Sequence, residues 1–199
     1  MTHDLARTLQ FPPNTRKNIP VLRGSLSAQF YAFEKACAGM KFLTVLDIGC
    51  GLAAIDVLLV REFGARTVYL IDGNGGAPQI HGWNNDATEP WNDVEQGAWV
   101  VKNNVAAEVD VITYVAGEKR IYACDQVDLV ISLRSWGHHY PVSVYLPLVE
   151  RALRPGGTLI LDIRRKTAGV EELEAAGFSK IGRIDDRSEK CDRLMFVRT

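Results

Sequence analysis

The sequence predicts an α/β fold: a doubly wound, mostly parallel seven-stranded sheet with a C-terminal antiparallel strand pair and helices on both faces. Three observations predict it. Short apolar runs rich in strand formers alternate with segments of helical period, the pattern of a parallel sheet covered on both faces. The first such run enters a glycine turn and then a helix at once, in VLDIGCGLAAIDVLL. The last two strand-like segments, KIGRID and RLMFVRT, follow one another across the charged turn DRSEKCD with no helix between them, so they pair antiparallel. Right-handed crossovers complete the double winding.

The elements follow in order. Residues 1–24 carry FPPNTRKNIP and make a poor core, so an arm is expected, lying over the surface or flexible. Residues 25–199 form one domain. Leu26, Phe30, Phe33, Cys37 and Met40 recur at helical spacing, with Ser25 as the expected N-cap. FLTVLDIG is too short and too dense in strand formers for a helix and reads as a buried strand. LAAIDVLLVREFG is a helix stopped by Gly64, and TVYLID a second buried strand. Residues 73–92 show no period and are long for a connection, which marks a functional loop. DVEQGAWVVKNNVAAEV is a helix despite Gly97, followed by the strands VDVITYVA and VDLVISL. Val142 to Leu153 is helical with Pro147 dividing it or marking its effective start, LRPGG is a turn, TLILDIR a fifth strand and GVEELEAAG a helix.

Composition narrows the function. The 199 residues fit one domain, and 47% hydrophobic with 24% charged residues is ordinary for a soluble globular protein. A net charge of -1 gives no bulk footprint of nucleic-acid binding. Four cysteines without a CxxC pair argue against a zinc module and a disulfide framework and fit reduced thiols in a cytoplasm. The opening MTHDLARTLQFPPN holds no leader-like apolar run, and no run is long enough to span a bilayer; a cytoplasmic protein acting on a small molecule is expected.

The strand-turn-helix placement makes Gly49 and Gly51 a ligand loop, and Asp72 ends the second strand within range of a ribose. Two cofactor classes compete. Gly49 to Ala54 can be read as GxGxxA, the dinucleotide fingerprint, which must receive a pyrophosphate. Asp47, two residues before the first glycine, would oppose that pyrophosphate but suit an ammonium group. S-adenosylmethionine (SAM) offers an ammonium, a sulfonium and a ribose without phosphate, so the charge argument favours it.

Asp47-Ile48-Gly49-Cys50-Gly51 resembles motif I of the class I SAM-dependent methyltransferases, a Rossmann-like family. Ile71-Asp72 resembles their second-strand acid, Val127 to Ser132 their fourth-strand motif, and Leu153 to Leu159 the turn before their fifth strand. The resemblance spans about residues 43–165 in order, and the closing antiparallel pair suits it. It implies that the loop of Asp47, Gly49 and Gly51 holds the methionine moiety, and that Asp72 accepts from both ribose hydroxyls. Gly73 and Asn74 would lie near the adenine, and Ser132 would belong to the cofactor site. Ala53 stands where the motif often has a third glycine, tolerable if the helix has already begun; Glu118 is a guess for the adenine-amine partner.

In an open α/β sheet, residues just after the strands' carboxyl ends form the site. SLRSWGHHYP follows the fourth strand. It lacks the Asn/Asp-Pro-Pro-aromatic pattern of amide or adenine amino methylation, the Pro-Cys of cytosine C5 methylation and the acid of the metal-dependent catechol type. A hydroxyl acceptor remains, and it needs a base; His138 or His139 is the candidate, with a lean to His139. A metal role is disfavoured because adjacent side chains diverge and no third ligand is near. Arg134, Arg164 and Arg165 would converge on one rim and suit an anionic group, and Trp136 and Tyr140, with Trp83 and Trp91 of the long loop, offer flat faces for a ring. SLRSWGHHYP also loosely resembles sugar O-methyltransferases. The leading expectation is thus a SAM-dependent O-methyltransferase of a small acceptor, anionic or sugar-like. An NAD(P)-dependent oxidoreductase is the alternative, though it lacks a Tyr-x-x-x-Lys pair; a non-catalytic SAM-binding or macromolecule-binding relative is another.

Overall fold

The computed structural model describes residues 2–12, 19–74, 93–106, 108–117, 124, 126–185 and 189–199. Helices α1 (Thr2–Thr8) and α2 (Ile19–Ala36) lead into β1 (Thr44–Ile48), α3 (Ala54–Phe63), β2 (Thr67–Asp72), α4 (Val94–Asn104), β3 (Asp110–Val115) and β4 (Val127–Ser132). A 3-10 turn (Val142–Val144) and α5 (Leu146–Ala152) precede β5 (Leu153–Arg164), α6 (Gly169–Ala175), β6 (Phe178–Asp185) and β7 (Cys191–Arg198). The seven strands lie in the order β3-β2-β1-β4-β5-β7-β6. All pair in parallel except β7, which runs antiparallel between β5 and β6. This is the expected fold.

Alternation along β1 shows how the strands serve two layers. Val45 joins the core under α1, α2, α3 and α4, while Leu46 and Ile48 join the one under α5 and α6. Strand order reverses between β1 and β4, so their carboxyl ends flank the crevice where such sheets take ligands.

Several expectations change. Residues 2–8 are not a surface arm: they form α1, whose Leu5 and Ala6, with the following Leu9, are buried in the core. The chain there is pinned to α4 by Asn104, whose side chain accepts from the Gln10 N–H at 2.6 Å and donates to the Gln10 carbonyl at 2.8 Å. Ser25 is no N-cap, because α2 already begins at Ile19 and Pro20 sits in its first turn, where a missing N–H costs nothing. Gln29 donates to the Ser25 hydroxyl instead. LRPGG lies within β5, where the pairing with β4 shifts register between Val127 and Leu129. Pro147 does mark the start of α5, after the 3-10 turn. Among the described residues no helix is long and apolar enough to cross a membrane.

Candidate active site

The glycine loop is held from below by β2. Gly49 and Cys50 both donate their N–H to the carbonyl of Ile71, at 2.7 and 3.2 Å. Gly51 donates to Oδ2 of Asp72 at 2.6 Å, and Gly73 donates to Oδ1 at 2.7 Å. Asp72 thus ties the two βα turns together. Gly49 and Gly51 are left-handed, at φ 74° and 54°. So is Ala53, at φ 49°, just before α3 begins. The helix has not started there, and alanine carries a backbone conformation that costs a Cβ about 1–2 kcal/mol. Gly97 is explained by the same loop: a Cβ on it would stand 2.9 Å from the Gly51 carbonyl oxygen, so α4 reaches the loop only with glycine there.

Beneath the loop lie two carboxyls. Asp47 on β1 is 2% exposed and Asp56 on α3 is 0% exposed. They interact closely, yet Asp47 Oδ1 and both oxygens of Asp56 lack a hydrogen-bond partner among the described residues. Burial, then the Asp56 charge, pushes Asp47 well above the carboxylate range, and burial brings Asp56 to about 7. Burial, with the nearby Asp72, Asp47 and Asp56, also raises the Cys50 thiol far up, so it stays protonated and is no nucleophile. Asp47 therefore lies under the loop rather than at its surface.

The segment after β4 is built around one carbonyl. The oxygen of Ser135 accepts from the N–H of His139 at 2.7 Å, of His138 at 3.1 Å and of Tyr140 at 3.3 Å. Gly137 donates to the Tyr140 carbonyl at 2.8 Å, and its own carbonyl accepts from Arg164 at 2.9 Å. Arg134 sits at φ 62° with its N–H on Asp162 Oδ2 at 3.1 Å. Asp162 is held in turn by Arg193 through two bonds, 2.8 and 2.9 Å, both side chains buried. The segment abuts the glycine loop: a Cβ on Gly49 would fall 2.0 Å from the Ser135 hydroxyl.

The His138 and His139 rings do not diverge; they meet edge to face, centroids 4.6 Å apart. Burial, helped by His139, Arg164 and Arg134 against Asp162, lowers His138 to about 4, and its buried Nδ1 has no hydrogen-bond partner among the described residues. No cluster of three metal-ligating groups exists among the described residues. Burial, with the field of Asp72, raises the phenol of Tyr140, and burial with Tyr140 and Asp72 pushes Tyr145 up to about 12. The charge at the end of β2 is thus felt at both phenols.

Two assignments are corrected. Trp136 is fully buried in the core under α5 and donates its indole N–H to the Val142 carbonyl at 2.7 Å, so it offers no face to a ligand. The buried Ser132 hydroxyl donates to the Ile48 carbonyl at 2.7 Å and accepts from Trp136 N–H at 2.9 Å; it ties β1 to β4 and does not reach a cofactor. Arg164 stands beside His138 with Arg134, but Arg165 pairs with Asp192 at 2.9 Å and leaves that rim. Asn74 is exposed beside Gly73 and bridges to Asp93. Trp83, Trp91 and Glu118 lie outside the described residues. Sequence reasoning missed Asp56, Asp162 and Tyr145. The first two carried a signal, an acid inside an apolar run; Tyr145 carried none.

No family model matches the chain, and no curated protein matches it in sequence. Solved structures do resemble it in fold. Magnesium protoporphyrin IX methyltransferase from Synechocystis PCC 6803, with bound SAM, is 19% identical over 98% of this chain and 90% of its own, at a TM-score of 0.60. A methyltransferase from Pyrococcus furiosus is 15% identical over 99% of this chain and 94% of its own, at 0.64. A precorrin-6y C5,15-methyltransferase from Geobacter metallireducens GS-15 is 13% identical over 97% and 96%, at 0.60.

Proposed function

We propose that this chain, which has the class I methyltransferase fold, is a SAM-dependent methyltransferase that methylates a hydroxyl of a small acceptor, anionic or sugar-like. One observation carries the cofactor assignment. The glycine loop at the switch point has Asp47, Asp56 and Asp72 beside it, and among the described residues no cation bears on Asp47 or Asp56. A pyrophosphate there would meet carboxyls on every side, whereas a phosphate-free cationic cofactor is favoured by them. The residues fit it: the Asp72 carboxylate stands at the turn, accepting from Gly51 and Gly73, and the buried Oδ1 of Asp47, with no hydrogen-bond partner among the described residues, lies beneath.

The bound cofactor supplies an electrophilic methyl on its sulfonium. The chain does the rest. Asp72 orients the ribose, Gly73 and Asn74 line the adenine side, and the loop of Gly49 and Gly51 admits the amino acid moiety. Arg134 and Arg164 hold an anionic acceptor, with Tyr140 beside it. His139 takes the hydroxyl proton as the oxygen attacks; a base works best with a pKa near the working pH, which disfavours His138 at about 4. His138 packs edge-on against His139 and fixes its ring.

Thermal unfolding with SAM, S-adenosylhomocysteine, NAD+ and NADP+ tests the cofactor. SAM at a hundred times its Kd should add about 2.7 kcal/mol. The nicotinamide cofactors should add nothing; protection by them alone would reverse the assignment. Asp72→Ala should weaken SAM binding by on the order of 10- to 100-fold, the loss of charge-assisted bonds of about 1.5–3 kcal/mol. Mass spectrometry of a metabolite extract given labelled SAM should then find an acceptor one methyl heavier. Labelled protein or RNA instead would overturn the small-acceptor reading.

A further inference from the structure

The carboxyls of Asp47 and Asp56 present a problem that cofactor geometry alone does not solve. Both are buried, they lie together, and three of their four oxygens lack a hydrogen-bond partner among the described residues. The described groups whose fields bear on the pair are Asp72, from β2, and the Cys50 thiol in the loop, which senses all three acids. Where α4 packs over the loop it presents Gly97, which has no side chain. Two carboxyls in such a place cannot both ionise: desolvation and like charge each oppose it. A proton held between them supplies the donor for the carboxyl–carboxyl hydrogen bond that joins them.

We propose that Asp56 is a positioning residue that makes cofactor binding release a proton: the pair holds a proton until the ammonium of a zwitterionic amino acid moiety settles on the Gly49–Gly51 loop above Asp47, and then loses it to solvent. This rests on the SAM reading of the site. The O–H bond of one carboxyl breaks, its electron pair stays on that oxygen, and the proton passes to buffer; no bond to the cofactor forms. The incoming ammonium replaces the proton as the charge that lets Asp47 ionise. Asp56 does not touch the cofactor. It sets the protonation of the residue that lies beneath it.

Calorimetric titration at pH 6 to 7, in buffers of different ionisation enthalpy, counts the protons. SAM and S-adenosylhomocysteine both carry the ammonium and should each release about one proton, with affinity rising by up to about tenfold per pH unit. Methylthioadenosine keeps the nucleoside without the amino acid moiety and should bind with no release. In Asp56→Asn the release should fall below half, with the affinity less dependent on pH. Binding of SAM without proton release, release unchanged in Asp56→Asn, or equal release with methylthioadenosine would each overturn the coupling and leave the SAM reading standing. Failure of SAM and S-adenosylhomocysteine to bind at all would remove that reading, and the coupling with it.

Discussion

Asp56→Asn should raise the stability of the free protein most at pH 8 and progressively less as pH falls to 5. Asp56 is fully buried, and burial moves its carboxyl from an ordinary 3.8 to about 7. A raised carboxyl pKa means the folded chain keeps a proton that the unfolded chain has already lost. Between about pH 4 and pH 7 the native state therefore binds more protons, and stability falls as pH rises through that window. Carried through in full, the displacement is about 4 kcal/mol at pH 8. Local relaxation reduces it, so a gain on the order of 2–4 kcal/mol is expected for the variant. That is roughly 4–16 °C in melting temperature for a chain of this size. At pH 5 the folded carboxyl keeps its proton while the unfolded one is already mostly ionised, so a smaller gain, roughly 1–1.5 kcal/mol, is expected, and it should fade only as pH falls through about 4. Urea unfolding of both proteins at pH 5, 6, 7 and 8, followed by circular dichroism, isolates the effect because titrations elsewhere cancel in the difference. A variant less stable than wild type at pH 8, or a difference that does not change with pH, would refute the buried-pair reasoning.

Three further outcomes are expected. Arg193→Met leaves Asp162 buried without its ion-pair partner and should cost about 3–5 kcal/mol in urea unfolding, a penalty that Arg193→Lys restores only in part because it loses the two-bond geometry. Gly49→Ala should destabilise by about 1–3 kcal/mol, because its Cβ would meet the Ser135 hydroxyl and because φ is 74°; thermal unfolding matching wild type would show that the loop can move aside. His138→Ala and His139→Ala should both keep SAM affinity in calorimetry, while methyl transfer to the acceptor falls by roughly 10²-fold or more in His139→Ala. Full turnover in both variants would end the proposed role of the histidines.

The fold was legible because its signals are local and repeated. Each buried strand announces itself by an apolar run, and each crossover by a helical period, so errors at one element leave the order intact. The antiparallel closure was legible for the same reason: no helix can fit into DRSEKCD. What the sequence concealed depends on contacts far apart in the chain. Leu5, Ala6 and Leu9 look like a stray amphipathic fragment until α2 and α4 are beside them. Trp136 sits among polar and ionisable neighbours in the chain, yet it turns inward, because the Ser135 carbonyl gathers three successive N–H groups and folds the segment back over the sheet. A cluster of chemically able residues does not reveal which of them face the ligand.

The buried acids point to a different kind of signal. Asp56 interrupts AAIDVLLV and Asp162 interrupts TLILDIR, each an acid where the period demands an apolar side chain. Their environments then separate them. Asp162 meets a guanidinium and the Arg134 N–H, so its charge is paid by geometry and it serves to hold the segment after β4. Asp56 meets Asp47 and its own backbone but no cation among the described residues, so a proton rather than a counter-charge satisfies it. A structural acid and a proton-holding acid thus look alike in the chain, and the presence or absence of one cation decides between them. On this logic the glycine loop rests on a foundation whose charge can change, and the segment opposite rests on a buried ion pair. The cofactor side can then respond to the charge of what it binds while the acceptor side keeps its shape, which suits the proposed function, in which a cation is admitted and a hydroxyl aligned.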